Sequence, residues 1–326
     1  MAHPTDPADP DLSTSRVASS SSSEPSLATS PTQRPGRLTV GVIGAGRVGA
    51  VLGAALTRAG HRVVAASGVS DRSVARAEAL LPGVPLLPPP DVAASADLLL
   101  LAVPDDSLAD LVRGLVSAGV VSRGQLVVHT SGRWGTHVLE PATRVGALPL
   151  ALHPVMTFTG TSIDLTRLAG CVFGVSAPEA LMPIADALVL EMGAEPVAVD
   201  DEHRELYHAA LAHSANHLVT LVASSSELLA AAGVEDPARL LGPLLSAALD
   251  NALRSGDAAL TGPVARGDAQ TVAAHVAAIE EVSPSTRAAY VALARLTADR
   301  ALASGLLDAV HAESLLDVLS DSERTR

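Results

Sequence analysis

Between residues 37 and 200 the sequence alternates short apolar runs with stretches of helical periodicity, and this alternation constrains the fold more than any other feature. Runs that are apolar almost throughout are typical of strands covered on both faces, and strands separated by helices pair in parallel. We therefore expect a doubly wound parallel α/β sheet. The predicted strands are residues 38–43, 61–66, 98–103, 125–129, 148–152, 171–175 and 196–199, with helices at 48–59, 73–80, 107–116 and 180–192.

Strand patterns stop after residue 200, and the rest of the chain is rich in Ala and Leu at helical spacing. Glycine and proline interrupt the pattern between successive helices. The sequence thus predicts an α/β domain at residues 37–200 followed by an all-α domain at 201–326. Helices are expected at residues 202–232, 238–254, 269–281, 284–303 and 312–319.

The first 36 residues form a separate block rich in Ser, Pro, Thr and Asp, with five consecutive serines at 19–23. Such a composition buries too little apolar surface to offset the entropy of ordering, so we expect a disordered tail. It has neither the basic start nor the apolar stretch of a secretory signal. No run of the sequence approaches the roughly 20 apolar residues that span a bilayer. We therefore expect no membrane association and a cytoplasmic location.

The charged residues and the cysteine content exclude several classes of protein. All 22 basic residues are arginine, 35 residues are acidic, and the net charge is −13. This balance repels polyanions, so a nucleic-acid partner is not expected. The absence of lysine excludes a lysine-dependent phosphate loop and Schiff-base catalysis. The single cysteine, Cys171, excludes an intrachain disulfide and a multi-cysteine metal site.

Residues 44–49 form a G-x-G-x-x-G pattern directly after the first predicted strand and at the start of the first helix. The pattern alone is weak, but this strand–turn–helix context is the one that binds dinucleotides. The first glycine allows the tight turn, the second lets a pyrophosphate approach, and the third lets helix and strand pack closely. The helix N-terminus offers free N–H groups and a positive dipole end. The predicted cofactor-binding residues here are Gly44, Ala45, Gly46, Arg47, Val48 and Gly49.

The end of the second predicted strand favours NADP over NAD as the cofactor. An NAD site usually places an acidic residue there to hold the ribose 2′-hydroxyl. Here Ser67 and other small or hydroxyl residues take that place, and Arg72 follows, which suits a 2′-phosphate. Asp71 keeps NAD open, and Arg72 has the alternative role of a solvated charge at a helix start.

The third predicted strand runs directly into Pro104, Asp105 and Asp106. In open α/β sheets, ligands bind beyond the carboxyl ends of the strands. Val103 and Pro104 are therefore expected to line the cofactor crevice. Asp105 and Asp106 are expected to begin the next helix, because acidic residues suit a helix N-terminus.

Two later strand ends also carry polar residues, namely Ser131 after the fourth predicted strand and His153 after the fifth. Both lie where a nicotinamide ring and a substrate should meet, and carbonyl reduction needs a proton donor and a polar grip on the substrate. His129 is interpreted as structural. His213 and His217 have a metal-capable spacing, but no Glu follows His213 and no third ligand is evident, so no metal site is predicted.

Several motifs together resemble a family of Rossmann-fold proteins with a helical C-terminal domain and largely unassigned function. These motifs are the G-A-G-R-V-G turn, A-V-P-D, H-T-S-G, H-P, Y-H-A-A, S-A-N-H-L-V and T-G-P-V-A-R-G-D, which cover nearly the whole chain after residue 37. The family is similar to the 6-phosphogluconate-dehydrogenase-like reductases, which include ketopantoate reductase and pyrroline-5-carboxylate reductase. The resemblance implies a Rossmann sheet, NAD(P)H-dependent reduction of a small molecule, and a homodimer.

The resemblance to ketopantoate reductases also implies site residues on the long helix. Those enzymes carry a lysine acid, an asparagine four residues later, and a second asparagine before a P-L-T-A-like run. Matching that run to residues 217–220 places the second asparagine on Asn216, the lysine on His208 and the first asparagine on Ala212. The chain departs from the pattern at His208 and Ala212, which puts the substrate in doubt more than the reaction. Because imidazole titrates near neutrality, His208 is a reasonable substitute acid, with a surface histidine as the alternative.

Arg266 lies in a polar loop between two predicted helices. Because arginine grips carboxylates in a bidentate manner, Arg266 is expected to hold a substrate carboxylate. An ion pair with Asp268 or a helix-capping role is the alternative.

Together these residues predict hydride transfer from NADPH to a small 2-oxo acid such as ketopantoate. His208 would supply the proton, Ser131 and Asn216 would orient the carbonyl, and His153 and Arg266 would bind the substrate. A cyclic imine acid of the pyrroline-5-carboxylate type is the alternative substrate. A non-enzymatic NADP(H)-binding sensor is the alternative function.

Overall fold

The computed structural model describes residues 36–324, so the predicted tail lies outside the described residues except for Gly36. The strands are β1 (Thr39–Ile43), β2 (Arg62–Ser67), β3 (Leu98–Leu101), β4 (Leu126–His129), β5 (Leu148–Pro154), β6 (Val172–Ser176) and β7 (Glu195–Ala198). The helices are α1 (Arg47–Arg58), α2 (Asp71–Leu80), α3 (Pro89–Ala94), α4 (Asp105–Ser117), α5 (Glu140–Arg144), α6 (Ile163–Leu168), α7 (Met182–Glu191), α8 (Arg204–Ala231), α9 (Pro237–Ser255), α10 (Gly262–Ala265), α11 (Ala269–Val282), α12 (Pro284–Ala303) and α13 (Ala309–Arg324).

The strands form one sheet in the order β2-β1-β3-β4-β5-β6-β7. The first five strands pair in parallel as predicted. Helices connect them, of which α3 and α5 were not predicted. The chain passes from β1 to β2 on one side and then crosses to β3 on the other. At such a switch point the carboxyl ends of two neighbouring strands leave a crevice, which is where open α/β sheets bind ligands. The predicted doubly wound α/β fold class is confirmed.

Strand β6 runs antiparallel to β5, where the sequence predicted parallel pairing. The connection between the two strands contains a single helix, α6, of six residues. Strand β6 starts at the edge of the sheet where β5 ends and runs back along it. Strand β7 pairs in parallel with β6, because the longer helix α7 crosses between them.

Both faces of the sheet are covered, as the continuous apolar strands predict. Leu98 and Leu100 belong to one buried cluster, which α1 and α7 complete. Leu99 and Leu101 belong to a second cluster on the opposite face, with side chains from α3, α4 and α5. Alternate residues of a strand point to opposite faces, so an apolar residue at every position of β3 supplies both layers.

The helices of the second half begin at local signals that the sequence contains. Asp236, Asp268 and Ser283 cap α9, α11 and α12 by accepting a hydrogen bond from a first-turn N–H. Pro237 and Pro284 occupy the first helical position of α9 and α12, where the missing N–H costs nothing. These caps explain why the observed bounds of the helices differ little from the predicted ones.

Helices α10 to α13 share a small core of their own, built from Ala, Val and Leu. Helices α8 and α9 contribute little to any core, since each buries a single residue, Arg204 and Leu241 respectively. None of the helices within residues 36–324 combines the length and the apolar content that a membrane span requires.

Candidate functional site

The turn at residues 44–49, called the glycine turn below, is held by close backbone packing between β1, α1 and β3. Gly44 has φ +92°, and a methyl group added there would overlap the carbonyl oxygen of Ala102. A methyl group added at Gly49 would overlap the carbonyl oxygen of Gly44 and lie 2.9 Å from Cβ of Ala102. Both positions therefore require glycine for the chain to pack, as the sequence predicted for a tight turn and a close helix–strand contact.

The middle of the glycine turn is open. A methyl group added at Gly46 would meet no atom within 4 Å. The N–H groups of Gly44 and Ala45 both donate to the carbonyl of Ser67, so they hold the turn against β2. The following N–H groups, at the start of α1, have no hydrogen-bond partner among the described residues. The turn thus presents free donors and the positive end of a helix dipole to an open space, which suits an anionic group.

One of the two predicted crevice residues, Val103, lies beside the glycine turn. A methyl group at Gly44 would be 3.2 Å from Cγ1 of Val103. Pro104 is the N-cap residue of α4, and Asp105 and Asp106 form its first turn, which confirms their interpretation as the start of a helix.

Ser67 is the last residue of β2 and is 5 % exposed. Among the described residues, Nη1 of Arg204 is the single buried side-chain nitrogen or oxygen without a partner. The Ser67 hydroxyl has no hydrogen-bond partner within residues 36–324.

Two arginines converge near the glycine turn at the loop after β5. A methyl group at Gly160 would lie 2.6 Å from Nε of Arg76 and 2.8 Å from Cγ of Arg47. Asp164, which is fully buried, holds this loop by accepting the N–H of Gly160 at 2.7 Å. Arg72, the residue that the sequence singled out, is exposed, and its carbonyl accepts a hydrogen bond from Arg76 at 3.3 Å. The structure thus adds Arg76 to the positive charges beside the end of β2.

His153, Tyr207 and His208, called the histidine cluster below, meet at the carboxyl end of β5. Nδ1 of His153 lies 2.8 Å from the hydroxyl of Tyr207. The rings of His153 and His208 are edge to face with centroids 6.0 Å apart. A methyl group at Gly132 would lie 2.7 Å from Cδ2 of His208 and 2.8 Å from Nε2 of His153. Gly132 follows Ser131, so the histidine cluster borders the loop after β4 where the sequence placed the substrate.

Arg204, at the first position of α8, fixes the histidine cluster to the sheet. It is 0 % exposed, and its Nε donates to Oγ of Ser176 at 2.8 Å. Its Nη2 donates to the carbonyls of Ala151 and Gly174 at 3.1 and 3.0 Å, which lie on β5 and β6. The guanidinium also lies 5.6 Å from the ring centre of Tyr207. Arg204 therefore ties the start of α8 to the antiparallel strand pair that carries His153.

Burial controls the protonation of the histidines at these strand ends. Burial, with the nearby charges of Arg204 and His208, lowers the pKa of His153 to about 4. Burial also raises the pKa of the Tyr207 hydroxyl. Near neutral pH His153 is therefore an uncharged imidazole and Tyr207 an uncharged phenol.

Ser131 and His129 organise the loop after β4. The Ser131 hydroxyl accepts the N–H of Trp134 at 3.1 Å, which leaves its own proton free to donate. His129 is 0 % exposed, with Nε2 3.0 Å from the carbonyl of Gly135 and Nδ1 accepting the N–H of Ser131 at 3.2 Å. Burial lowers the pKa of His129 to about 4. These contacts confirm the structural interpretation of His129.

Two residues that the sequence placed at the site do not contact the histidine cluster among the described residues. Asn216 is exposed and lies eight residues along α8 from His208, about 12 Å along the helix axis. Arg266 is exposed too. It makes no ion pair with Asp268, whose carboxylate instead caps α11 through Thr271. The functional roles of Asn216 and Arg266 stay predictions.

The remaining histidine pair on α8 lies apart from these residues. Nδ1 of His213 and Nδ1 of His217 are 2.9 Å apart, and both residues are exposed. Within residues 36–324 no three His, Cys, Asp or Glu side chains are grouped to hold a metal ion.

The sequence prediction did not include Arg204, Tyr207 or Arg76 among the site residues. Arg204, Tyr207 and His208 are spaced i, i+3 and i+4, so they lie on one face of a helix, and this spacing was the available signal. Arg76 follows Arg72 by one helical turn, and the same spacing rule could have found it.

The sheet order and the glycine turn define the class, a Rossmann-like α/β protein with a helical C-terminal part. Residues 23–154 match the sequence profile of the Rossmann-like domain. Residues 171–297 match that of a domain of unknown function, DUF2520. The chain therefore consists of a Rossmann-like domain followed by a DUF2520 domain, and the family predicted by the motifs is confirmed at this level. A search among proteins with curated functions found no match to the sequence.

Solved structures share the fold over most of the chain. A Bacteroides fragilis protein, provisionally described as an NADP oxidoreductase, is 22% identical, covers 81% of this chain and 98% of its own, and has a TM-score of 0.69. An imine reductase from Myxococcus stipitatus in complex with NADP+ is 20% identical, with 81% and 94% coverage and a TM-score of 0.57. A variant of a Myxococcus stipitatus imine reductase in complex with NAD+ is 21% identical, with 88% and 99% coverage and a TM-score of 0.60. At these identities the likeness shows the fold.

Proposed function

We propose that this protein is an NADPH-dependent reductase that transfers hydride to the carbonyl carbon of a small 2-oxo acid, with ketopantoate as the first substrate to test. The observation that carries the proposal is the glycine turn, open at Gly46 and lined by free amide donors at the sheet's switch point. The histidine cluster at a neighbouring strand end adds proton-bearing groups where a substrate would lie.

The residues present fit a nicotinamide dinucleotide. The N–H groups at the start of α1 would bind the pyrophosphate, and the open space at Gly46 leaves room for it. The hydroxyl of Ser67 is free for the adenosine ribose. Val103 and Pro104 would line the crevice. Similarity in fold to oxidoreductases with NADP+ or NAD+ bound supports the same assignment.

The charges beside β2 favour NADP over NAD. Arg47 and Arg76 converge at Gly160, and Arg72 is exposed one turn before Arg76. Arginine is suited to a phosphate because it presents several donors in a planar fork. Ser70 and Ser73, the hydroxyl residues at this strand end, instead form the capping box of α2. The proposed 2′-phosphate contacts are therefore arginines.

The histidine cluster would perform the acid–base part of the reaction. A bound nicotinamide cofactor would supply the hydride for the carbonyl carbon. His208 would donate a proton to the carbonyl oxygen, and solvent would restore that proton, so that the C=O group becomes CH–OH. Ser131 orients the carbonyl with its free hydroxyl proton, and His153 binds the substrate. Asn216 and Arg266 would act from a more distant part of the substrate site.

Cofactor binding by the full chain is the first test. We expect NADPH to raise the melting temperature and to bind more tightly than NADH in calorimetry. Gly46→Ala is the matched variant, because its methyl group meets nothing within the protein yet fills the space proposed for the pyrophosphate. It should weaken NADPH binding at least tenfold while unfolding at the same temperature without cofactor. If neither nucleotide binds the wild-type chain, the proposal is wrong.

Turnover is the second test, with His208→Ala as the variant. Wild-type protein should oxidise NADPH in the presence of ketopantoate. The variant should lose at least 100-fold in kcat, since a positioned proton donor contributes about that much or more, while its affinity for NADPH is unchanged. Equal kcat in both proteins would remove His208 from the mechanism.

A cyclic imine acid of the pyrroline-5-carboxylate type is the second candidate substrate, and the fold likeness to imine reductases favours it. Oxidation of NADPH with such an imine and not with 2-oxo acids would select this alternative. Nucleotide binding without turnover of either class would indicate a sensor.

We also propose that the chain forms a homodimer through α8 and α9, and that a second copy covers them. Eight large apolar side chains of these helices are 44–80% exposed. Together they leave on the order of 500 Å² of apolar surface per chain, at about 100 Å² for each fully exposed side chain. Two such sets of side chains would bury roughly 1,000 Å², which is the least area expected of a biological interface. The residues are Leu206, Leu218, Val219, Leu221, Leu240, Leu244, Leu249 and Leu253.

Light scattering coupled to size exclusion tests the homodimer. Wild-type protein should have twice the 33.0 kDa mass of one chain. Leu253→Arg, at a position 80% exposed on α9, should halve that mass. Leu190→Arg on α7, at a position 60% exposed outside the proposed face, should leave the dimer intact. A single-chain mass for the wild type would contradict the proposal.

For such a reductase with one cysteine we expect a reducing, cytoplasmic location, which cell fractionation would test.

A further inference from the structure

The hydroxyl of Tyr207 has a restricted choice of hydrogen bonds. It lies 2.8 Å from Nδ1 of His153, and this is its one side-chain partner among the described residues. On the other side it is pressed against Gly174, since a methyl group added there would overlap it. A phenol has one proton to donate. Among the described residues Nδ1 of His153 is the one acceptor within hydrogen-bond distance of that proton, which favours a bond donated by Tyr207 to His153.

The second ring nitrogen of His153 faces a different environment. Nε2 has no hydrogen-bond partner within residues 36–324, yet it is not among the buried unpaired atoms, so it is open to solvent. It lies 2.8 Å from the position of a methyl group at Gly132, beside the ring of His208. Nε2 therefore points into the space between the loop after β4 and α8.

We propose that Tyr207 is a positioning residue that fixes His153 as the tautomer with its proton on Nε2, so that the imidazole donates a hydrogen bond to a carbonyl or imine acceptor in the cleft. A neutral imidazole carries one ring proton, and an Nδ1 that accepts from Tyr207 leaves that proton on Nε2. The role in turnover rests on the proposed reductase function, whereas the tautomer does not.

The charged and titratable groups around His153 favour the neutral ring. Tyr207, His208 and Arg204, all from α8, face it, and the neighbouring residues of the β4 loop and β6 are Gly132 and Gly174. No carboxylate contacts His153 among the described residues to stabilise an imidazolium. Burial and the positive charge of Arg204 both disfavour a second proton, which agrees with the lowered pKa of His153.

Nitrogen NMR on histidine-labelled full-length protein tests the tautomer without cofactor or substrate. His153→Gln assigns the His153 signals among the 11 histidines. At pH 7 the wild type should show Nε2 as the protonated nitrogen and Nδ1 as the unprotonated one. Tyr207→Phe should shift His153 towards a mixture of both tautomers, because Nδ1 loses its donor.

Tyr290→Phe is the matched control, since the chain has a second pair of the same kind. The hydroxyl of Tyr290 lies 3.0 Å from Nδ1 of His275, and the ring centroids are 6.0 Å apart. This variant should change the His275 signals and leave His153 as in the wild type.

In turnover, Tyr207→Phe should lower kcat roughly tenfold with little change in KM or NADPH affinity, the loss expected for one misplaced hydrogen bond. Tyr290→Phe should leave kcat unchanged.

A proton on Nδ1 of His153 in the wild type, or on both nitrogens at pH 7, overturns the proposal. So does a His153 tautomer that Tyr207→Phe leaves unchanged in a folded protein. If the tautomer is as expected but the chain neither binds NADPH nor turns over a substrate, the positioning by Tyr207 stands and the proposed reductase function fails.

Discussion

Helix α1 buries eight of its 12 residues, whereas α8 buries one of 28. Each helix begins beside part of the candidate site, α1 at the glycine turn and α8 at the histidine cluster. Around α1 the described residues are closely packed, and the open position at Gly46 is where a ligand can approach. Around α8 a single buried arginine anchors the helix, and the other residues of α8 are partly or fully exposed within the described part of the chain.

The difference indicates how each half of the site would be perturbed. Backbone contacts at the glycine turn tolerate no added atom at Gly44 or Gly49, but titration does not affect them. The histidine cluster depends on protonation and on side-chain hydrogen bonds. Substitutions should therefore act mainly on folding in the first region, and pH should act mainly on the second.

The largest expected effect is on stability against pH, and it should come from the strand ends near α8. The pKa of His129 and of His153 is about 4 in the folded chain, against about 6.5 for an unperturbed histidine. The unfolded chain binds more protons between these values, so the stabilisation is complete above pH 6.5 and is lost as pH falls towards 4. From pH 7 to pH 5 each histidine should lower the free energy of unfolding by about 2 kcal/mol.

Urea unfolding at the two pH values measures this loss, and His153→Gln should remove about half of it. Equal stability at pH 7 and pH 5 would contradict the burial of both neutral rings. Unchanged pH dependence in His153→Gln would show that the effect arises elsewhere than in the histidine cluster.

Gly49→Ala should produce the next largest effect, and on the α1 side. Its methyl group overlaps the backbone carbonyl of Gly44, so we expect a loss of about 3 kcal/mol in the free energy of unfolding. Gly114→Ala in α4 is the control, because nothing lies within 4 Å of its methyl group. It should stabilise the chain by about 0.5–1 kcal/mol through helix propensity. If Gly114→Ala is less stable than Gly49→Ala in denaturant melts, the close packing inferred at Gly49 is wrong.

Arg76→Ala should give the smallest effect, and it tests which arginine near the glycine turn contacts the 2′-phosphate. Loss of one phosphate contact should weaken NADPH binding about tenfold, or about 1.4 kcal/mol, and leave NADH binding unchanged. Arg72→Ala, at an exposed position, serves as the matched variant. If calorimetry shows that Arg72→Ala weakens NADPH binding more than Arg76→Ala does, then Arg72, which the sequence favoured, is the contact for the 2′-phosphate.

Much of the fold could be predicted because its signals are local. The continuous apolar strands, the caps at Asp268 and Ser283 and the glycines at the first turn each act within a few residues. The direction of β6 could not be predicted in this way. It is a property of the assembled sheet, because β6 takes its direction from pairing with β5 and β7.

Part of the candidate site could be predicted from local signals, and part of it could not. Ser131, His153 and His208 follow from strand ends and a helix motif, and the structure places His153 and His208 against Gly132. The buried position of Arg204 has no local signal of its own, because an arginine at a helix start is usually solvated. Its burial follows from carbonyls of two strands, β5 and β6, that the sheet brings together.

The order of the strands, the longer helices, the glycine turn and the residues at the strand ends could be predicted from the sequence, since they depend on periodicity and backbone sterics within a few residues. The short helices α3, α5, α6 and α10 were missed. Three features follow only from the assembled fold: Tyr207 contacts His153, Arg47 and Arg76 both approach Gly160, and β6 runs antiparallel to β5. The first two features bring together residues that lie 29 or more positions apart in the sequence. Such contacts contribute to stability only after the sheet has brought the segments together.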